Sequence, residues 1–438
     1  MKRQQEINDD SKMRCHTMKI VVQKFGGTSV RDSESREHAY RHIDKAINDG
    51  YKVVVVVSAI GRKGEPYATD TLISLIEPEK AVTKREVDML MSCGEIISSV
   101  VFSNMLNSKG LNATALNGAQ AGFRTNNDHT NAKILDMKCE RLLEELQSND
   151  VVVVAGFQGV SKNGDMTTIG RGGSDTSAAA IGAAVRAEWI EIFTDVEGVM
   201  TADPRIVKDA KSLSVVTYNE ICNMAYQGAK VIHPRAVEIA MNAGIPLKVR
   251  STYSDAPGTL VTSLDKMNRK VDVKERLITG IAHVSNVTQI RVFAKEGQYN
   301  LQTEVFRAMA NEQISVDFFN ISPTSVVYTV ADEMTEKAIS ILENMGYSPK
   351  VTRHCAKVAT VGAGMTGVPG VTSKIVTALS DRGIQILQSA DSHTTIWVLV
   401  KEEDMHNAVN ALHQAFNLGI DQSKNPTKPL HEGEVPSK

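Results

Sequence analysis

The sequence lacks the features that identify several classes of protein. Its 49 Lys and Arg residues nearly balance 51 Asp and Glu residues, and without a long basic stretch no nucleic-acid partner is expected. The longest apolar runs, such as 53–57, fall far short of the roughly 18 residues that a membrane span needs, so no membrane partner is expected. Five cysteines, none in a C-x-x-C pair, argue against a disulfide framework and a zinc site and favour a reducing cytoplasm.

The remaining composition predicts a soluble, folded chain with several domains. Of its 438 residues, 42% are hydrophobic, enough for a core in each of roughly two to four domains. Residues 1–17 are polar, without the apolar segment of a signal peptide, and are predicted to be a disordered extension. Residues 419–438 contain three prolines and are predicted to be a disordered tail.

The first half alternates apolar strands with helical stretches. Segments 53–57, 151–155 and 189–194 are nearly all apolar, as expected for parallel strands that are covered on both faces. A helical pattern over 33–48 lies between two strands. The alternation predicts an α/β domain with a mainly parallel central sheet over residues 18–264.

The second half contains an internal repeat. Residues 305–319 resemble residues 375–389, at an offset of 70 positions. Each copy predicts strand, loop, helix, strand, strand and helix, the order of a ferredoxin-like α+β module. We therefore expect a linker over 265–277 and two modules, at 278–352 and 355–418.

A glycine-rich turn follows the first predicted strand. Gly26 and Gly27 expose backbone N–H groups ahead of a helix, so with Lys24 beside them the turn is suited to bind phosphates. It is not a Walker A loop, because the chain nowhere contains G-x-x-x-x-G-K-[ST]. The alternative is a plain strand-to-helix turn beside a solvated lysine.

Two further clusters follow later strands. In residues 170–177, Arg171 lies among glycines ahead of a helix predicted over 178–184. This pattern is suited to bidentate binding of a carboxylate or phosphate, and helix capping alone would not explain it. Residues 194–205 leave the end of an apolar strand, where open α/β sheets bind ligands. A polar turn is the alternative for this last cluster.

The motifs KFGGTSV, GRGGSDTSA, TDVEGVMTADPR and GAKVIHPRA resemble those of the amino-acid kinase family and, within it, the aspartokinases. The resemblance covers residues 18–416 and points to the monofunctional, diaminopimelate-sensitive isozymes. It implies an αβα sandwich with a mainly parallel sheet, followed by two ACT domains. The implied reaction transfers the γ-phosphoryl group of ATP to the β-carboxylate of L-aspartate, with Mg²⁺ bridging the phosphates, as the first step towards diaminopimelate, lysine, threonine and methionine.

The same resemblance implies roles for individual residues. Lys24 and Asp175 are the expected catalytic residues, Lys24 on the phosphates and Asp175 as an organiser of the cationic groups. No residue is expected to bind the metal directly. Met200 is not assigned as an ATP contact, because many relatives have tyrosine at that position. The expected aspartate contacts are Ser58, Thr69, Glu95, Arg171, Gly172, Gly173 and Ser174. The expected ATP contacts are Lys24, Phe25, Gly26, Gly27, Ser58, Thr194, Asp195, Arg205 and Lys230.

The repeated modules resemble ACT domains, which bind amino acids between two such modules. The implied feedback effector is meso-diaminopimelate, lysine or threonine, and the implied assembly is a homodimer formed through the ACT domains. The alternative is that the modules only dimerise the enzyme. The run Gly362–Gly367 fits G-x-G-x-x-G, but the duplicated unit is too short for a Rossmann domain. The expected effector contacts are Gln298, Asn300, Gln302, Thr303, Val368, Gly370 and Val371.

Two other functions fit part of the sequence. One is a kinase of the same fold that phosphorylates glutamate, N-acetylglutamate or a nucleoside monophosphate; the ACT modules and the sequence Ser92-Cys93-Gly94-Glu95 count against it. The other is an amino-acid sensor built on an inactive kinase, against which the presence of Lys24, Arg171 and Asp175 counts.

Overall fold

A computed structural model describes residues 18–77, 82–229, 231–263, 277–365 and 367–419. These residues divide into two compact units. Unit 1 contains the described residues up to 199, with 212–226 and 231–263, and unit 2 contains 200–211, 227–229 and the described residues from 277 on. The predicted extension 1–17, the predicted linker except residue 277, and the predicted tail beyond residue 419 lie outside the described residues.

Unit 1 alternates strands and helices over most of its length. Its strands are β1 (Ile20–Phe25), β2 (Lys52–Val57), β3 (Ala113–Leu116), β4 (Phe123–Thr125), β5 (Ile134–Met137), β6 (Val151–Ala155), β7 (Gln158–Ser161), β8 (Met166–Thr168), β9 (Ile190–Thr194), β10 (Val215–Thr217), β11 (Leu247–Ser251) and β12 (Thr259–Thr262). Its helices are α1 (Ser33–Asn48), α2 (Thr69–Ile73), α3 (Lys84–Ser108), α4 (Glu140–Ser148), α5 (Gly173–Val185), α6 (Tyr218–Tyr226) and α7 (Pro234–Ala243).

Eight strands of unit 1 form one sheet in the order β10-β12-β11-β9-β1-β2-β6-β3, and the other four form a second sheet, β5-β4-β7-β8. Every neighbouring pair in the large sheet is parallel except β11 with β12. The valines of β2 at 53–57 are fully buried, because helices pack against the central strands. This arrangement confirms the predicted α/β fold with a mainly parallel sheet and explains its uninterrupted apolar runs.

The parallel register brings several strand ends to one edge of the large sheet. Phe25 of β1 pairs with Val57 of β2 and with Phe193 of β9, and Val57 pairs with Ala155 of β6. Ligands of open α/β sheets bind beyond the carboxyl ends of such strands. The segments that follow these residues are therefore the first place to look for a binding site.

Helix α3 is 25 residues long and, by length and composition alone, is apolar enough to cross a membrane. No uninterrupted apolar run marks this helix in the sequence, because Glu95 and other polar residues interrupt it. Half of its most apolar stretch of 18 residues is buried inside the protein. Phe102 and Leu106 belong to the same core as Phe25. The helix thus supplies core packing and also carries buried carboxylates to the interior.

Unit 2 is built around an antiparallel sheet of six strands in the order β14-β15-β13-β16-β18-β17. The strands are β13 (Gly280–Phe293), β14 (Asp317–Ser322), β15 (Ser325–Ala331), β16 (Lys350–Val361), β17 (Gln388–Asp391) and β18 (Thr395–Lys401). The helices are α8 (Leu301–Asn311), α9 (Thr335–Asn344), α10 (Val371–Ser380) and α11 (Met405–Ala415).

The repeat recognised in the sequence recurs as a structural repeat within unit 2. Helices α8 and α10 begin at Leu301 and Val371, and helices α9 and α11 begin at Thr335 and Met405, so both pairs keep the offset of 70 positions. The first copy packs its helices over a core that includes Tyr328, and the second packs its helices over another. Each copy follows the strand and helix order that the sequence predicts.

Candidate functional site

The glycine turn after β1 is held tightly against the segment that follows β2. A Cβ on Gly27 would lie 2.5 Å from the carbonyl oxygen of Ala59 and 2.6 Å from that of Gly61, so only glycine fits there. The turn continues as a short 3-10 helix, Gly27–Val30. Gly26 lies under the Lys24 ammonium, whose Nζ would be 3.6 Å from a Cβ at that position. The turn therefore presents backbone and one cation at the edge of the sheet.

Helix α5 begins earlier than the sequence indicates. It starts at Gly173 rather than at 178, because Gly172 adopts a left-handed conformation with φ 70° and turns the chain into the helix. A Cβ on Gly172 would overlap the imidazole ring of His233, so glycine is required there as well. Ser174 and Asp175 consequently lie in the first turn, where backbone N–H groups and the helix dipole favour anions.

Lys24 and Asp175 form an ion pair that joins the two glycine motifs. Nζ of Lys24 lies 2.8 Å from Oδ1 of Asp175, and both side chains are 13% exposed. Oδ2 of Asp175 accepts a hydrogen bond of 3.2 Å from the backbone N–H of His233. Three motifs that are distant in sequence therefore meet at one point in unit 1.

His233 and Arg235 also lie in this region; the motif GAKVIHPRA contains both, but the predicted site residues do not include them. Burial lowers the pKa of His233, so its imidazole is mostly neutral at neutral pH. Arg235 donates to the backbone oxygens of Ile169, at 3.0 Å, and Ala132, at 3.2 Å. Lys230, a predicted ATP contact from the same motif, lies outside the described residues.

Glu95 is a buried carboxylate near the glycine turn. Its side chain on α3 is 2% exposed, and Oε1 accepts a 3.1 Å hydrogen bond from the backbone N–H of Ala59. Oε2 is buried without a hydrogen-bond partner, and no Lys or Arg of the described chain pairs with it. Burial raises the pKa of Glu95 to about 8. A carboxylate in this state is suited to accept a cationic group from a ligand.

Ser58 and Thr69 lie beside Glu95 in the fold. Ser58 directly precedes Ala59 and its N–H donates to the Phe25 oxygen at 3.1 Å. Thr69 begins α2, and the preceding backbone approaches α3 so closely that a Cβ on Gly94 would lie 3.0 Å from the Tyr67 oxygen. Ser58 is thus at the same end of the sheet as Lys24, and Thr69 begins a helix that packs against α3, the helix of Glu95.

Arg171 and Ser174 flank the start of α5 in different environments. Arg171 is exposed and forms no ion pair with any residue that the structure describes. Ser174 is 8% exposed, and its Oγ would lie 3.0 Å from a Cβ on Gly156, which follows β6. An unpaired guanidinium and a hydroxyl at a helix N-terminus form a set that is suited to a carboxylate.

The residues expected to bind ATP lie partly elsewhere. Thr194 ends β9 next to β1, and Asp195 pairs with Arg62 at 2.9 Å. Arg205 belongs to unit 2, where its guanidinium binds Asp203 at 2.6 Å. The structure therefore brings Thr194 and Asp195 to the edge that carries Lys24, while Arg205 is described within the other unit.

The first set of expected effector residues is held by local hydrogen bonds in unit 2. Nε2 of Gln298 and Nδ2 of Asn300 donate to the carboxylate of Glu304, at 3.0 and 2.7 Å. Gln302 donates to the backbone oxygen of Ser322, and Thr303 is exposed. These groups surround the start of α8.

The second set surrounds the start of α10, the equivalent helix of the second copy. Gly370 has φ 91° and precedes the helix, and Val368 is 41% exposed. Val371 is 4% exposed and packs in the core, so only its backbone faces the loop. The side chain of Val371 is therefore a core residue.

Unit 2 also contains a small group of possible metal ligands. One donor atom each from Asp332, His354 and Glu402 lie within 4.8 Å of one another. Asp332 and Glu402 occupy equivalent positions in the two copies, each directly after the last strand of its copy. His354 is 80% exposed, so the group is open to solvent.

Comparison with known proteins assigns both parts of the chain. The sequence profile described as "Amino acid kinase family" matches residues 19–251, and the profile described as "ACT domain" matches residues 350–414. The chain is 68% identical over 402 residues to Aspartokinase 1 of Bacillus subtilis (strain 168), covering 92% of this chain and 100% of that one. It is 40% identical over 419 residues to Aspartokinase of Mycobacterium tuberculosis (strain ATCC 25618 / H37Rv), covering 92% and 98%.

The solved structures that this chain resembles are aspartokinases as well. Escherichia coli aspartokinase III in complex with aspartate and ADP is similar with a TM-score of 0.74 at 26% identity, covering 91% of this chain and 99% of that one. The same enzyme in complex with lysine and aspartate has a TM-score of 0.72 at 27% identity, covering 91% and 99%. Clostridium acetobutylicum aspartate kinase has a TM-score of 0.74 at 27% identity, covering 91% and 100%. The fold class and family expected from the motifs are confirmed.

Proposed function

The chain belongs to the aspartokinases of the amino acid kinase family, and from this premise we propose how its residues perform the reaction. The enzyme transfers the γ-phosphoryl group of ATP to the β-carboxylate of L-aspartate and forms ADP and 4-phospho-L-aspartate. This is the first step towards diaminopimelate, lysine, threonine and methionine. One observation supports the assignment of residues best. The site contains both the Lys24 ammonium and the buried carboxylate of Glu95, whose Oε2 has no hydrogen-bond partner among the described residues.

The charges of the site are complementary to those of aspartate. Aspartate carries one ammonium and two carboxylates, and the site offers Glu95 for the ammonium. Arg171, with Ser174 and the backbone of Gly172 and Gly173, binds the α-carboxylate. Ser58 and Thr69 complete the aspartate pocket beside Glu95. The β-carboxylate is then left free to face the nucleotide.

The reaction needs charge compensation rather than a general base. An aspartate carboxyl group with a pKa near ~3.9 is already ionised at neutral pH and is itself the nucleophile. The barrier arises because two anions must meet in line, and phosphoryl transfer is catalysed mainly by positioning and by cations on the moving group. Lys24 supplies such a cation. Asp175 holds its ammonium at 2.8 Å and so fixes the direction in which that charge acts.

The glycine turn fits the phosphates of ATP. Gly26 and Gly27 leave no side chain between their backbone and the Lys24 ammonium, which is the geometry that a polyphosphate needs for close approach. Phe25 and Ser58 frame the turn, and Thr194 and Asp195 bind the nucleoside from the next strand. The assignments of Arg205 and Lys230 to ATP rest on their motif. Mg²⁺ would supply the positive charge on the phosphates that Lys24 alone does not provide.

The ACT modules make the enzyme feedback-regulated, as in a diaminopimelate-sensitive isozyme. The effector, meso-diaminopimelate or else lysine or threonine, binds at the starts of α8 and α10. Gln298, Asn300, Gln302 and Thr303 contact it from the first copy, and Val368, Gly370 and the backbone of Val371 from the second. The enzyme is a homodimer formed through these modules and works in the cytoplasm.

An acyl-phosphate trapping assay tests the activity directly. With ATP, Mg²⁺ and hydroxylamine, aspartate should give a hydroxamate, whereas glutamate and N-acetylglutamate should not. A nucleoside monophosphate acceptor would release ADP without a hydroxamate. Hydroxamate from another acid would contradict the choice of substrate, and no product with any acceptor would favour an inactive sensor.

Regulation needs a separate experiment on the full chain. Titrating the initial rate with meso-diaminopimelate, lysine and threonine identifies the effector, and light scattering gives the oligomeric state. Gln298→Ala should raise the concentration of effector for half-inhibition while leaving the rate without effector unchanged. Inhibition that is unaltered by this variant would place the effector elsewhere.

A further inference from the structure

Asp88 is a second buried carboxylate on the helix that carries Glu95. It lies two turns before Glu95 on α3 and is fully buried. No Lys or Arg of the described chain pairs with it; the imidazole of His129 contacts it, at 2.8 Å from Nδ1 to Oδ2. A buried carboxylate is costly unless hydrogen bonds satisfy it. Its remaining partners therefore show what it does.

The carboxylate of Asp88 gathers two separate segments of the chain. It accepts hydrogen bonds from the backbone N–H of Thr130, at 3.0 and 3.1 Å, and from the hydroxyl of Thr168 at the end of β8. Thr130 has φ 73°, a left-handed conformation that is unfavourable for threonine and is held only when its surroundings determine it. Asp88 thus fixes both the 129–130 turn and the last residue of β8.

These two segments also hold each other just before Arg171. The Ala132 N–H donates to the Thr168 oxygen at 2.9 Å, and Arg235 donates to the oxygens of Ile169 and Ala132. A Cβ on Gly170 would lie 2.8 Å from Oδ1 of Asn131. The chain is therefore fixed up to the residue that precedes Arg171.

We infer that Asp88 is a positioning residue for aspartate recognition. From the helix that carries Glu95 it fixes the loop that carries Arg171, and it thereby sets the distance between the groups that bind the ammonium and the α-carboxylate. The inference rests on the proposed function, because it takes Glu95 and Arg171 as the aspartate contacts. Recognition groups must be held within roughly 0.5 Å of their productive geometry, and a long packed helix does this better than a loop.

Asp88→Asn in the full chain tests the inference. The variant keeps the size of the side chain but offers one acceptor oxygen where the carboxylate offers two. The KM for aspartate should rise by about tenfold or more, whereas the KM for ATP should stay within about twofold of wild type. In an Arg171→Ala background the same substitution should have little further effect on the KM for aspartate, since coupled residues are not additive.

Two comparisons separate positioning from a structural role. Asp165→Asn removes a carboxylate that bonds Arg85 of the same helix and should leave both KM values unchanged. The inference would be overturned if Asp88→Asn lowered the melting temperature but left the KM for aspartate at the wild-type value. It would also be overturned if Asp88→Asn raised both KM values equally. Full additivity with Arg171→Ala would overturn it as well.

A milder variant serves if Asp88→Asn does not fold. His129→Ala removes one donor to Asp88 and should raise the KM for aspartate in the same direction by a smaller factor, again without an effect on ATP. An unchanged KM for aspartate in this variant would count against the inference. Failure of the proposed function is distinguishable, because the wild-type enzyme would then give no hydroxamate with aspartate.

Discussion

The Lys24 ammonium lies 2.8 Å from the Asp175 carboxylate and connects the end of β1 to the first turn of α5. Each residue comes from a glycine-rich motif, and the two motifs are brought together by the parallel sheet, in which β1 lies at the centre. The pair gives the lysine a fixed direction without removing it from solvent, because 13% of each side chain remains exposed. A phosphate can therefore reach the ammonium.

Loss of the Lys24 charge should abolish most of the turnover. In Lys24→Ala the moving phosphoryl group loses its fixed cation, and removing one such electrostatic contact lowers kcat by roughly 100- to 1,000-fold. Steady-state kinetics at saturating ATP and aspartate measure the effect. Lys19→Ala is the matched control, since Lys19 is exposed just before the same strand and should leave kcat unchanged. Near-normal turnover of Lys24→Ala would remove Lys24 from the mechanism.

The raised pKa of Glu95 should make aspartate binding depend on pH. The ionised carboxylate binds the substrate ammonium, and its pKa in the free protein is about 8. The KM for aspartate should therefore fall as the pH rises through 8 and level off above it. Glu95→Gln should raise this KM and remove its pH dependence over that range. An effect of this variant on ATP alone would place Glu95 in the nucleotide pocket.

The same group should make stability depend on pH in the opposite sense. Its pKa rises from an ordinary 4.5 to about 8 on folding, so the free protein loses stability as the pH rises from 4.5 through 8. Glu95→Gln should remove this loss and unfold at a higher temperature near pH 8. Glu86→Gln, at a half-exposed position of the same helix, is the control and should keep the wild-type slope.

Much of the fold and part of the site follow from local sequence. The valines of β2 and β6 predict buried parallel strands because nothing polar interrupts them, and the repeat at 70 positions predicts two equivalent modules. Lys24, Glu95 and Asp175 are identified through motif resemblance, and the structure places Lys24 and Asp175 in contact. Local patterns are sufficient where the signal lies within one strand, one helix or one turn.

Other features depend on partners that are distant in sequence. The start of α5 is predicted too late, because glycines are poor helix formers and only the tertiary setting of Gly172 shows the helix beginning at Gly173. Asp88 is one polar residue in a helical pattern, and its partners His129 and Thr168 lie 41 and 80 positions away. No local pattern indicates that these residues meet.

The conformation of Gly172 should make it intolerant of any side chain. Gly172→Ala puts a Cβ at a left-handed φ, which costs about 1–2 kcal/mol, and drives it into the His233 ring. Gly164→Ala is the control, because Gly164 has φ 86° but a Cβ there would meet nothing within 4 Å. We expect Gly172→Ala to lower the urea midpoint and kcat more than Gly164→Ala does. Equal effects of both variants would show that the contact with His233 is relieved at no cost.

Breaking the buried ion pair of Glu191 and Arg250 should destabilise the large sheet. The two side chains are 5% and 12% exposed at 2.9 Å, and Gln23 also donates to Glu191. Arg250→Met leaves the Glu191 charge without its cation and should destabilise unit 1 by about 3–5 kcal/mol.

The two tryptophans allow this effect to be assigned to one unit. Trp189 lies in unit 1 and Trp397 in unit 2, so fluorescence in a Trp397→Phe background reports on unit 1 alone. Adding Glu191→Leu to Arg250→Met removes the unpaired charge and should recover most of the lost stability, since apolar replacements of buried ion pairs are often neutral. If the double variant is no more stable than Arg250→Met, the loss comes from the contact of the Arg250 guanidinium with the Phe193 ring, 5.4 Å from its centroid, and not from the charge of Glu191.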